Sequence, residues 1–194
     1  MTLLGQYGRN PRDTLARFAA GEPSNPDTFY RANLPRVGLY DSASDTHVPL
    51  ATGVLTSVPV FLAAGDVVTN ITFRSGATAV GTPTAWWFAL YSDAATPALL
   101  AQCADQTSTA WAANTTMTKA LSAPVTISRT GVYWAAINVT ATTVPSLLGS
   151  VAVAPIVTGE RNLSQSSGSG LTTTAPATIA TPTVKQFVPF VVLT

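Results

Sequence analysis

At 194 residues the chain is long enough for one core-forming domain with an arm or a tail. Only 10% of it is charged, against about 25% in an average soluble domain, and the formal net charge is +1. That balance excludes electrostatic recruitment of nucleic acid or anionic lipid, and a single cysteine excludes an intrachain disulfide.

Residues 1–50 read as an N-terminal anchoring arm. The first 45 residues hold 10 of the 19 formal charges, five of each sign, and all five cations are arginines. One short helix is legible in the arm. Asn10 caps it, Pro11 suits its first turn, Asp13 favours its positive end and Gly21 ends it. Leu15, Phe18 and Ala19 fall on one face of that helix. A helix of about ten residues does not persist alone in water, so its apolar side needs a surface to dock on. The following stretch, GEPSNPDTFYRANLPRVGLY, has no period yet carries Phe29, Tyr30, Leu34, Val37, Leu39 and Tyr40. A disordered linker is poorer in such residues. The arm therefore either docks on another subunit or wraps its own domain. Its candidate interface residues are Leu15, Phe18, Phe29, Tyr30, Leu34 and Tyr40.

Residues 51–194 read as strands. Gly53–Ala63 is interrupted by Pro59, which suggests an edge or a bulge. Asp66–Arg74 alternates, with Val67, Thr69, Ile71 and Phe73 on one face and Val68, Asn70, Thr72 and Arg74 on the other. Trp86–Tyr91, Ala98–Cys103, Met117–Leu121, Val125–Ile127 and Val132–Thr140 follow, separated by turn residues. Leu147–Val157 is a further strand candidate broken at Pro155. Residues 158–183 form a long low-complexity loop, either mobile or held by neighbouring subunits. Val184–Thr194 closes the chain, and its Phe-Val-Pro-Phe-Val echoes Ser-Val-Pro-Val-Phe at 57–61, which suggests that the first and last strands are neighbours. About eight strands with little helix predict an all-β fold, an antiparallel β-sandwich wound as a jelly roll. Threonine and alanine, 30 of each, suit such a fold, because a threonine-rich exterior stays wet without charge.

The residues offer little chemistry. His47, the only histidine, lies near Asp41, Ser42, Ser44 and Asp45, but no Gly-x-Ser-x-Gly elbow occurs, and the cluster reads as a solvated turn. One histidine and one cysteine do not make a zinc site, and no calcium loop is present. Asp41 with Asp45, or Asp93 with backbone carbonyls, offers at most a weak cation site. Within residues 52–194 the acids are Asp66, Asp93, Asp105 and Glu160, the first two at turns, so no carboxylate pair for glycoside hydrolysis is legible. Catalytic residues, cofactors and resident metals are therefore not expected. Cys103 reads as a small buried hydrophobe. Trp86 and Trp87 are adjacent and face opposite ways in a strand, and Trp111 sits in a polar loop. An exposed tryptophan marks a subunit interface or a glycan platform, and Trp111 is the candidate.

The N-terminus lacks a basic start followed by an apolar stretch, so no export signal is expected. The Asn-x-Ser/Thr triplets at Asn70, Asn114, Asn138 and Asn162 then read as chance. The apolar windows Val54–Ala64, Val144–Val157 and Phe187–Leu193 fall short of the roughly 18 residues a membrane helix needs, or are broken by proline.

The runs TGVLTSVPVFLAAGDVVTNITF at 52–73, TAWWFALYSD at 84–93, ALLAQCADQTSTAWAANT at 98–115 and TGVYWAAINVTATTVPSLLG at 130–149 resemble a β-sandwich module of virion structural proteins from tailed phages of actinobacteria. The resemblance covers roughly residues 50–150 and contains no catalytic signature. It implies a homo-oligomer, commonly a trimer, displayed on a phage head or tail. A capsid-bound decoration protein fits best, with the major capsid protein or other virion proteins as partners. The alternative is a minor tail or fibre-like protein that uses Trp111 on host glycan.

Overall fold

The computed structural model describes residues 31–33 and 50–194. The sequence-predicted helix around Leu15 and Phe18, the aromatic stretch from Phe29 to Tyr40 and the His47 cluster lie outside them, apart from Arg31–Asn33.

The described residues are all-β, in antiparallel sheets, with no helix. The strands are β1 (Arg31–Ala32), β2 (Leu55–Leu62), β3 (Val67–Arg74), β4 (Gly81–Tyr91), β5 (Leu99–Gln102) and β6 (Thr116–Thr126). They continue with β7 (Gly131–Thr143), β8 (Gly149–Val151), β9 (Gln165–Ser167), β10 (Thr183–Val184), β11 (Phe187–Pro189) and β12 (Val191–Leu193). A four-stranded sheet runs β1-β12-β3-β6, a six-stranded sheet runs β10-β9-β2-β7-β4-β5, and β8 pairs with β11 in a small third sheet.

The core follows from two strands that are buried on both faces. From Ala85 to Tyr91 in β4 and from Tyr133 to Val139 in β7 every residue is buried. Trp86 pairs with Val139 and Phe88 with Ile137, so these side chains share the face that looks towards the four-stranded sheet. There the ring of Phe88 lies 4.9 Å from that of Phe73 on β3. Trp87 pairs with Asn138 and Tyr91 with Trp134, on the opposite face. The adjacent tryptophans do face opposite ways, yet both are fully buried.

The second face is covered by the chain's own low-complexity segment. Ala175 and Ile179 are buried against it, with Leu171 packed beside them. Strap carbonyls meet the sheet's polar tips: Trp87 Nε1 donates to Thr172 O (2.7 Å), Gln102 Nε2 to Thr173 O (2.8 Å) and the Tyr91 hydroxyl to Pro176 O (2.9 Å). Thr140 Oγ1 donates to Leu171 O at 2.6 Å. For residues 164–183 the expectation of a segment mobile or held by other subunits is thus corrected; residues 158–163 remain largely exposed. The physical reason is that a run of Thr, Ala and Pro brings few apolar side chains but a full complement of backbone acceptors, which the buried ring N–H and hydroxyl groups require. The same segment also supplies β9, which pairs with β2.

Other boundaries shift for local reasons. Met117–Leu121 and Val125–Thr126 are parts of one strand, β6, whose register against β3 jumps from Val125, opposite Val68, to Ala120, opposite Asn70, with Pro124 among the residues skipped. The break also overturns the expected face assignment in β3. Val68 is buried and Val67 is 42% exposed, while Ile71 and Phe73 stay inward. Pro59 lies on the part of β2 beyond its last pair with β9, Ser57↔Gln165. The closing stretch divides into β11 and β12, which join different sheets. Neither pairs with β2, so the suggested pairing of first and last strands does not form.

Three residues assigned to the arm belong to the β-domain. Arg31 and Ala32 pair with Leu193 and Val192, and Arg31 Nε lies 3.0 Å from Asp66 Oδ2. Asn33 is buried; its Nδ2 donates to Pro189 O at 2.7 Å and its Oδ1 accepts from Val191 N at 2.9 Å. At these residues the chain wraps its own domain.

Candidate interaction surface

Trp111, the one described residue among the sequence-predicted interface positions, is fully buried, which corrects its assignment to an exposed platform. It does lie in a loop, but the loop folds inward. Its ring centroid is 5.3 Å from that of Trp86 and 5.8 Å from that of Phe88, and Nε1 donates to Thr115 O at 2.9 Å. Ser75, itself fully buried, ties the loop down: its hydroxyl donates to Ala112 O at 2.6 Å and accepts from Thr115 N at 2.9 Å. All four tryptophans are buried, so no tryptophan is presented to a ligand.

Several titratable groups of the described residues are held in bonds within the fold. Asp93 Oδ2 accepts from Arg129 Nη2 at 2.9 Å, which gives the carboxylate a cationic partner where a metal ion was considered. Asp105 Oδ2 accepts from Thr107 N and Oγ1 and closes a turn. Asp66 Oδ2 accepts from Ala63 N at 2.9 Å. Among the described residues no three of His, Cys, Asp and Glu come together as a metal-binding group. Cys103 is buried, and burial pushes its thiol pKa up; its Sγ accepts from Phe88 N at 3.1 Å.

Burial likewise pushes the Tyr91 phenol well above its ordinary value of 10.0. A tyrosine that stays neutral in the folded chain but ionises freely when unfolded leaves stability intact below about pH 10 and removes it as the pH rises further. Alkaline titration is expected to show Tyr91 phenolate absorbance appearing together with unfolding, and Tyr91→Phe is expected to unfold at higher pH than the parent chain. Phenolate formation by Tyr91 with the fold intact at its ordinary pKa would contradict this.

The surface that stands out is the connection from β8 to β9. Val151, Val153, Ile156, Val157 and Leu163 are 50% to 83% exposed. Single exposed aliphatics are ordinary, but five within thirteen residues are a feature of interaction sites. The sequence shows the apolar run at Leu147–Val157 but reads as a strand there; the strand is only Gly149–Val151, with a single bridge from Leu147 to Ser75 before it. This tongue is braced from within. Glu160 Oε2 accepts from Ile156 N at 2.8 Å, and Glu160 N donates to Val157 O at 3.1 Å. At its base the Arg161 guanidinium lies 5.8 Å from the centre of the Trp134 ring.

Beside the tongue's root lies an open, mainly apolar groove of about 260 Å³. Leu50, Ala51, Val54 and Phe187 line it, with Lys185 and Gln186 at its polar side. It is smaller than the roughly 300–1,000 Å³ of small-molecule sites. Tongue and groove were not singled out by sequence reasoning, because Val54, Phe187 and the valines of the tongue all read as strand residues.

No protein-family model matches the chain, and no curated protein matches it in sequence.

Proposed function

We propose that this chain is a non-enzymatic structural protein of a virion. Within that class, the reading supported best is a tailed-phage head-surface decoration protein, tethered by its N-terminal arm to the major capsid protein, associating with its own kind around a symmetry axis and stabilising the shell. The observation that carries the reading is the strand order. With the order β1-β12-β3-β6 in one sheet and β2-β7-β4-β5 in the other, successive strands cross from sheet to sheet except at β4 and β5, which pair with each other; that is the order expected of two Greek keys wound into a jelly roll. Strands β8 to β11 are then an elaboration between the last two strands of that winding. Jelly rolls serve in viral capsids and in lectins, and fold alone does not choose between them. Three further features favour the capsid side: the charge-poor exterior, the resemblance over residues 50–150, and the burial of Trp111, which takes away the ring assigned to glycan stacking.

The tether is tested by truncation. The cut belongs before Arg31, since residues 31–33 complete the four-stranded sheet. Deleting residues 1–30 is expected to abolish binding to particles and to leave the unfolding midpoint of the β-domain unchanged. Normal incorporation of the truncated chain would remove the anchor from the reading. Quantitative mass spectrometry of purified particles separates head from tail, because a head protein is present in many copies and a tail protein in a handful.

A further inference from the structure

We infer that the β8–β9 tongue of one copy seats its aliphatic side chains in the groove beside Val54 and Phe187 of a second copy. The two surfaces are complementary and belong to the same chain. One projects valine and isoleucine into solvent, and the other is an apolar hollow sized for a pair of such side chains. The tongue does not fill the groove of its own chain. Its root is clamped in the ladder that pairs Val151 with Phe187, where Ala152 N donates to Gln186 O at 2.7 Å. Gly149 holds that root close, since a methyl group there would collide with the Val188 carbonyl. None of residues 153–163 lines the groove.

Charge points the same way. Glu160 sits at the tip of the tongue with no cationic partner among the described residues, its Oε2 accepting from two backbone N–H groups. Lys185 stands exposed at the groove with no anionic partner among the described residues. Docking brings the two opposite charges together at the rim of an apolar contact, where they add specificity and register more than affinity. The internal bonds of the tongue matter for the energetics too. A segment already held in shape loses little conformational freedom when it docks. A tongue-in-groove contact joins different surfaces of the two copies: exchanged reciprocally about a two-fold axis it makes a dimer, and passed from copy to copy it closes into a ring when the rotation permits.

The inference rests on the part of the proposed function in which the chain associates with its own kind and names the surface for it; the tether to the shell is measured separately, by particle binding, so the two can fail independently. Two full-length variants, Ile156→Cys and Val54→Cys, place one reactive thiol on each surface while native Cys103 stays buried. Mixed and oxidised, they are expected to give a disulfide-linked dimer that neither variant gives alone. Adding Lys185→Glu to the Val54→Cys partner is expected to lower its yield several-fold. Ile156→Cys chains that link to one another as readily as to the mixture would overturn the inference. So would an internal disulfide in the double variant, or sedimentation of the wild-type chain as a monomer at every concentration. Ile156 is 83% exposed, so its replacement leaves the fold intact and keeps each outcome readable.

Discussion

Replacing Trp111 with alanine is expected to destabilise the folded chain by about 3–5 kcal/mol. The indole is fully buried between the sheets and touches both Trp86 and Phe88, so truncation leaves a cavity walled by two rings that are themselves held by β4. The loop has little freedom to collapse into that space. Ser75 bonds it on both sides of the turn at Ala113–Asn114, and Val80 N donates to Trp111 O at 3.0 Å. Removal also leaves Thr115 O without the indole donor, a smaller cost on the order of 1 kcal/mol. Chemical denaturation checks the size of the effect: the midpoint falls markedly while the dependence on denaturant stays the same. If Trp111→Ala unfolded like the parent chain but lost self-association or sugar binding, the ring would belong to the surface after all. The structure argues otherwise, and this variant is the sharpest way to separate a core aromatic from a recognition aromatic in this protein.

The same residue marks where sequence reading succeeds and where it stops. Strand periodicity is a local signal, and the strands with clear apolar runs, β2, β3, β5 and β7, stand where the pattern places them, whereas β4 begins at Gly81, ahead of its Trp86–Tyr91 run. The dipeptide Trp86-Trp87 tells that two faces carry large rings. It does not tell that both faces are covered, because the cover on the second face comes from a stretch of threonine, alanine and proline 85 residues away. Composition registers side chains, whereas that contact is made largely by backbone carbonyls. Trp111 fails for a related reason: a lone aromatic in a polar loop looks exposed until the loop's own hydrogen bonds fold it inward. The bulge in β3 is invisible in β3 itself and has its cue in Pro124 on the neighbouring strand. The tongue is legible as apolar but not as exposed, since alternating valines fit a strand equally well. Asn33 carries no sequence signal, because its two partners, Pro189 O and Val191 N, lie more than 150 residues downstream.

Exchanging residues 171–179 for a glycine–serine stretch of equal length is expected to remove on the order of 5 kcal/mol, enough to unfold a domain of ordinary stability or to leave it with an open face. The estimate rests on two losses. Ile179 is buried and Leu171 packs against the core, and each aliphatic side chain contributes about 1.5–3 kcal/mol when fully buried. Pro176 also disappears, and with it the constraint that keeps the unfolded segment from gaining freedom. Carbonyls remain in the replacement, so hydrogen bonds to Trp87, Gln102 and Tyr91 can still form, but a glycine-rich chain must lose far more entropy to present them. The expected readout is a lowered unfolding midpoint, a tryptophan fluorescence spectrum shifted towards that of solvated indole, and binding of an apolar dye. A replacement that unfolds with the parent chain and binds no dye would mean that the strap is ornamental and that the six-stranded sheet seals itself. The outcome bears directly on function. With the strap in place, Trp87 and Tyr91 are shut away from solvent on that sheet face. With the strap removed, the chain would expose Trp87 and Tyr91 together, and associate through the wrong surface.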